Sequence, residues 1–273
     1  MKRFVATSLL LTWQLALYAQ VEAGRPGITS PFITYEDASL MEPGTLSIGQ
    51  YASFSKSPNG KSLSAPGIDF SLGLTRRLEL SGFGAGVFSQ NYGEGFAAGL
   101  DDSYMGLKVL LWKEARYRPA LAVKPMLELL GSADGVGRAH LAFPVMLEKD
   151  IGLCDLAYTV GYLTRGAVYS SLKCEWGGEG RVTPIAVISG SRATEHLSDL
   201  RDLGLNRTQL NGSVGVNVEI SPRWSIFLEA GRTLSRKDEN SSQFEFTASI
   251  AYTGRLWGRG RSTHPKRAAT AHH

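Results

Sequence analysis

Beyond its first two dozen residues the chain has no apolar run approaching the roughly 20 residues that a membrane-spanning helix needs. That excludes a helical membrane protein. A closed barrel is then the only way such a chain could span a bilayer, because open sheet edges leave backbone groups unpaired in lipid. Cysteine is scarce, with 2 in 273 residues, and neither a histidine nor a third cysteine stands near them in sequence, which argues against a zinc site. The five histidines, His140, His196, His264, His272 and His273, are scattered, four of them in predicted loop or tail. None falls in a nucleophile–base pattern, so no catalytic residues are assigned and the chain reads as a non-enzyme. Charge of one sign is also lacking. Lys and Arg number 29 against 25 Asp and Glu, and the surplus of +4 comes partly from the C-terminal tail, so nothing points to nucleic acid as a partner. No cofactor motif survives inspection. Gly82-Phe83-Gly84-Ala85-Gly86 looks like a phosphate-binding loop, but no βαβ unit follows it, and glycines in a curved strand account for it better.

What is present is glycine (31), tyrosine (10) and a short-period alternation of apolar and polar residues. Mean hydropathy is −0.09, which suits a soluble protein but equally a transmembrane barrel, where only alternate residues meet lipid. The clearest unit is Asn206 to Arg232. Leu210, Gly212, Val214, Val216, Val218 and Ile220 share one strand face, Ser221-Pro222-Arg223 make a turn, and Trp224, Ile226, Leu228 and Ala230 resume the apolar face.

This unit recurs along residues 45–257 about twelve times. The short connections Thr75–Arg77, Lys113–Tyr117, Lys149–Gly152, Gly177–Arg181 and Ser221–Arg223 alternate with mostly longer polar ones, and the hairpin near Thr164 is the short exception. Lys56–Ala65, Asn91–Leu100, Gly131–Ala139 and the charged Thr194–Leu205 are read as loops, and a bulge is expected near Ser81-Gly82. Sorting of connections by length, with both termini at the short-turn end, is the layout of an all-β outer-membrane barrel of about 12 antiparallel strands. A soluble sandwich or another soluble barrel is the alternative. Residues 1–23 have the three parts of a cleavable signal peptide, residues 24–44 read as an irregular segment, and residues 258–273 as a basic disordered tail. The expected location is the outer membrane of a Gram-negative-type bacterium, with lipid and the barrel-assembly machinery as partners.

Several segments carry a family resemblance. They are Ser30-Pro31-Phe32-Ile33-Thr34-Tyr35-Glu36-Asp37-Ala38, Glu42-Pro43-Gly44, Leu74–Leu80, Asp101–Leu111, Pro119–Leu130 and Ser221–Leu228. Together they resemble outer-membrane barrels labelled as members of the meta-cleavage phenol-degradation pathway, or as transporters. The resemblance covers nearly the whole mature chain. It implies an outer-membrane barrel passing small hydrophobic solutes, and no catalytic residue carries over. Barrels of this type often end on an aromatic residue that the assembly machinery reads. Here Trp257 is followed by sixteen more positions, 258–273, which makes Trp257 the candidate for an internal version of that signal.

Candidate site residues follow from the strand phase. Lys108, Lys124, Glu128, Asp155, Lys173, Glu175, Glu219, Glu229 and Glu245 fall on polar faces and are expected to line the lumen. They would form either a solute-selecting lining or a paired network that plugs a small barrel. Tyr158, Tyr162, Trp176, Trp224, Tyr252 and Trp257 are expected at the membrane interfaces. Cys154 and Cys174 share a face of adjacent strands and, with a turn centred on Thr164, would stand opposite one another as a possible disulfide. The leading function is a passive channel or transporter for small, and by the resemblance hydrophobic, molecules. The alternative is a plugged structural or adhesive barrel that binds through its external loops.

Overall fold

The structure is a computed structural model that describes residues 36–91, 95–100, 103–130, 141–164, 166–177, 181–194, 208–235 and 241–258. The expected signal peptide, the tail beyond 258, all five histidines and most of the 194–205 loop lie outside these residues.

Fourteen strand segments follow one another: β1 (Thr45–Lys56), β2 (Gly60–Gly73), β3 (Leu78–Asn91), β4 (Gly95–Leu100), β5 (Ser103–Trp112), β6 (Ala120–Val123), β7 (Met126–Leu130), β8 (Leu141–Ile151), β9 (Cys154–Leu163), β10 (Ala167–Trp176), β11 (Val182–Ala193), β12 (Thr208–Ser221), β13 (Trp224–Thr233) and β14 (Phe244–Arg255). They make twelve antiparallel passes. β4 and β5 form one interrupted pass along β3, and β6 and β7 form another, broken at Lys124-Pro125. β1 pairs with β14 from Thr45↔Arg255 to Lys56↔Phe244, which closes the sheet into a barrel. The expected fold class is therefore the observed one, and its cause is legible locally. Each pass alternates, and closure removes the edges that open sheets leave unpaired.

Exposure alternates along each pass and identifies the outward face. Leu107, Leu127, Phe143, Val145, Leu172, Ile188, Leu228 and Ile250 are exposed, while the residues between them are buried or half-buried and face the lumen. The ends of strands differ from the sequence reading in four places. Lys56–Ala65 is not a loop; the β1–β2 connection is only residues 57–59, and β2 starts at Gly60. Residues 95–100 are β4 rather than loop. The turn after β8 is Gly152-Leu153, because Lys149 to Ile151 continue the strand, and Gly152 takes the left-handed conformation with φ +63.

The fourth difference concerns β3. No register shift occurs near Ser81-Gly82; the ladder there is regular, and the irregularity lies in β2 between Ser64 and Gly67. The apolar–polar phase only seemed to slip because Phe83 and Ala85 point inward, with Gly82, Gly84 and Gly86 between them on the outer face. A side chain at Gly82 would meet the Phe70 ring at 2.8 Å and the Tyr104 carbonyl at 2.9 Å, so this run is strand packing and not a ligand loop.

Candidate functional site

The lumen has two unlike halves. On the walls made by β3 and β5–β10, the inward side chains are buried under an extended segment, residues 36–44, that precedes β1 and runs inside the barrel. Three lysines that the strands aim inward, Lys108, Lys124 and Lys173, receive its carboxylates. Glu36 pairs with Lys124 and lies 3.4 Å from Lys108. Asp37 lies 3.0 Å from Lys173 and 3.8 Å from Lys108. The Thr159 hydroxyl donates to the Glu36 carbonyl at 2.7 Å, and Lys108 donates to the Ser39 carbonyl at 3.2 Å.

The segment also donates to the wall. The Ser39 hydroxyl bonds Glu148 at 2.7 Å, and the Met41 amide bonds Glu79 at 2.7 Å. Between these polar ties Ala38 is fully buried against Leu110, Ala120, Ala122 and Met146. The chain then turns at Gly44, where φ is +79, and enters β1; the Gly44 amide donates to Gly73 at 2.7 Å. A buried lysine without a partner is costly, and the docked acidic pair, together with Glu79 at 3.7 Å from Lys108 and Glu175 beside Lys173, makes three inward lysines tolerable. Burial alone would raise the Glu36 carboxyl, but Lys124 and Lys108 outweigh it and hold the group below its ordinary value. Asp37 is buried too, and Lys173 and Lys108 hold its carboxyl well below the usual range.

The opposite wall, β11–β14 with β1 and β2, is different. Its inward residues include hydroxyls and amides that remain partly open to water, Ser47, Ser71, Ser213, Asn217, Ser225 and Thr253, beside the apolar Ile185, Val187 and Phe227. Nearer the loop end the same wall is tied together. Gln209 donates to Asn211 at 3.0 Å and to Thr233 at 3.2 Å, and the Ser242 amide donates to the Thr233 hydroxyl at 2.9 Å. The acids on this wall are Asp69, Glu219, Glu229 and Glu245. The inward-facing base among its described strand residues is Arg255 at the mouth, 3.9 Å from Glu42.

A third feature lies toward the loop end of the plugged side. Phe83, Tyr104, Met126, Ala142, Leu163, Ala167 and Tyr169 form an apolar cluster on the inward face, with the Phe83 and Tyr104 rings stacked 5.6 Å apart. Beside it the wall is incomplete among the described residues. β4 pairs with β3 along one edge and has no strand on the other, and β7 meets β8 only at Met126↔Ala142 and Leu127↔Leu141.

The expected site residues distribute as follows. Lys108, Lys124 and Lys173 converge on the segment, and Glu175 joins them at 2.8 Å from Lys173. Asp155 is inward on β9 beside this group. Glu219, Glu229 and Glu245 lie on the other wall, and the Glu128 side chain is outside the described set. Sequence reading missed Glu36 and Asp37, because a segment without period shows no face, and it missed Glu79, between Leu78 and Leu80, and Glu148, next to Leu147, whose inward phase was readable.

The expected aromatics within strands all face outward. Trp176, Trp224, Tyr252 and Trp257 gather at the short-turn end with Trp112, which sequence reading overlooked, and Trp224 packs on Tyr252 at 5.1 Å. Tyr162 stands toward the loop end, and Tyr158 lies midway along β9 rather than at a rim. Cys154 and Cys174 are not directly opposed. The hairpin turn spans 164–166, which sets Cys154 opposite Trp176 and Cys174 opposite Leu156. They are diagonal neighbours with Cα atoms 6.2 Å apart, and their sulfurs are bonded.

No family model and no curated protein matches the chain. Solved structures do. An outer membrane channel from Pseudomonas putida F1 superimposes with a TM-score of 0.63 at 14% identity, over 81% of this chain and 100% of that one. The NanC porin gives 0.56 at 7% identity over 75% and 98%, and the KdgM porin 0.51 at 9% over 76% and 98%. At such identities the likeness is one of fold, that of the outer-membrane barrel.

Proposed function

We propose that this chain is a passive outer-membrane channel for small molecules, inserted with its termini on the periplasmic side. The observation that carries the reading is the half-filled lumen: an anchored segment covers one wall while hydroxyls and amides of the other stay in contact with water. Fixed charge on that water-facing wall is acidic, and the inward lysines are neutralised by Glu36, Asp37, Glu79 and Glu175, so small cations pass more readily than anions. The similar structures described as a channel and as porins support the same function class.

The apolar cluster beside β4–β7, where β4 has no second strand partner among the described residues, favours a hydrophobic branch of the same function, in which an apolar solute leaves the lumen sideways into the bilayer. Small aromatic compounds are the first to test, in line with the resemblance to the phenol-degradation family. The direct experiment is conductance of the refolded chain in a planar bilayer. Discrete steps with a cation-side reversal potential support the channel. Silence from protein shown to be inserted removes the aqueous route and leaves the plugged structural barrel or the sideways one. Uptake of a labelled aromatic compound, reduced by Met126→Lys, separates those two.

A further inference from the structure

Lys56 ends β1 and Lys61 stands at the second position of β2, and the register sets them directly opposite one another. Gln90 of β3 lies directly opposite Lys61 on its other side. All three side chains are exposed and point away from the lumen; the neighbouring Ser55 and Ser62 hydroxyls meet inside the barrel at 2.7 Å. Like charges directly opposed on adjacent strands repel each other. Among the described residues the ion pairs involve Lys108, Lys124, Lys149, Lys173 and Arg255, and neither Lys56 nor Lys61.

One step toward the middle of the barrel the same three strands present Phe54, Leu63 and Phe88, paired Phe54↔Leu63 and Leu63↔Phe88, with Phe246 opposite Phe54. Leu63 and Phe88 are each 40% exposed on this outward face. Phe96, opposite Gln90, stacks on Phe88 with centroids 6.3 Å apart and widens the platform. A cationic row therefore sits directly above an apolar row, at the end of the barrel away from the termini. Cations that only reach for the headgroup layer need no partner opposite. Arg192 and Arg232, outward on β11 and β13, are of that kind: they face Thr208 and Gly212.

We propose that Lys56, Lys61 and Gln90 form a binding site for the phosphate of a phosphorylated glycolipid in the outer leaflet. A bridging phosphate relieves the repulsion between the two lysines and takes the Gln90 amide as a further donor. The acyl chain below it lies along Phe54, Leu63 and Phe88. The site rests on the reading that the barrel spans the outer membrane with its loop end outward.

The test is native mass spectrometry of the full chain in detergent, titrated with bisphosphorylated lipid A and with the same lipid A dephosphorylated. Wild-type protein is expected to hold the phosphorylated lipid at least tenfold more tightly than the dephosphorylated one. K56Q/K61Q is expected to lose that preference, and R232Q to keep it. Heat-modifiable migration on a gel shows that each variant is folded. Equal binding of the two lipids by wild-type protein, or an undiminished preference in K56Q/K61Q, overturns the proposal. Membrane fractionation is read separately: a chain found outside the outer membrane overturns the reading beneath the site, whatever the titration shows.

Discussion

Removing the two segment carboxylates, in E36Q/D37N, is expected to open the lumen and reverse its ion preference. Between them Glu36 and Asp37 approach Lys108, Lys124 and Lys173, all buried. Breaking one side of a buried ion pair costs about 3–5 kcal/mol, because the remaining charge is left without compensation. Two such losses amount to about 6 kcal/mol or more by the same principle, near a factor of 10⁴ in the docked-to-undocked ratio. The ties that remain are the Ser39–Glu148 and Met41–Glu79 hydrogen bonds and the bond from Lys108 to the Ser39 carbonyl, about 1.5–3 kcal/mol each for bonds involving charged groups, with about 1 kcal/mol for the bond from Thr159 to the Glu36 carbonyl. Burial of Ala38 adds about 1 kcal/mol. The two sides are comparable, so the segment spends much of its time undocked. Two consequences are measurable in a planar bilayer with a salt gradient. Step size rises as the plugged half of the lumen fills with water. The reversal potential moves toward the anion side, because three lysines gain water and lose the Glu36 and Asp37 charges, with Glu79 left near Lys108 and Glu175 beside Lys173. Steps and reversal potential equal to wild type, from protein shown to be folded, would refute the assignment of Glu36 and Asp37 as the segment's anchors.

The same carboxylates predict a response to acid. Their docked pKa values are depressed, so their contribution to docking is complete above the ordinary carboxylate range near pH 4 and is lost as pH falls through the lower docked values. Conductance steps should hold their size from neutral pH to about 4 and enlarge only in stronger acid; enlargement at pH 6 would contradict this. The Cys154–Cys174 bond closes a sequence separation of 20 residues and is worth about 3 kcal/mol by loop-closure entropy, so C154S/C174S should lower the unfolding midpoint read by heat-modifiable migration, and an unchanged midpoint counts against it. A side chain at Gly161 would collide with the Tyr169 ring, so G161V should cost about 1–3 kcal/mol or more in the same assay, whereas Y169A/G161V should recover part of the loss.

The architecture was legible because alternation is a local property. Leu210 to Ile220 and Phe244 to Tyr252 state their faces residue by residue, and a pattern repeated about twelve times leaves few topologies to hold it. The candidate site was half legible for the same reason. Lys108, Lys124 and Lys173 announce themselves as inward by their strand phase, but their partners in the segment lie 69, 88 and 136 positions away in a stretch with no period at all. The missing clue was a lysine without an acid of its own rather than a motif. The plugged wall's acids meet two of its lysines, Glu79 at 3.7 Å from Lys108 and Glu175 at 2.8 Å from Lys173, whereas the partner of Lys124 among the described residues is Glu36. Glu36-Asp37 is the acidic pair of the segment tethered to the turn end of β1. The disulfide shows the opposite limit. Its two residues were named correctly as neighbours, but their alignment depended on whether the turn centred on Thr164 or one position later, and only the observed Ala167↔Leu163 pairing decides that. Side-chain faces follow from composition and period; registers and dockings follow from a single turn residue or a distant charge, and those are set by the folded chain as a whole.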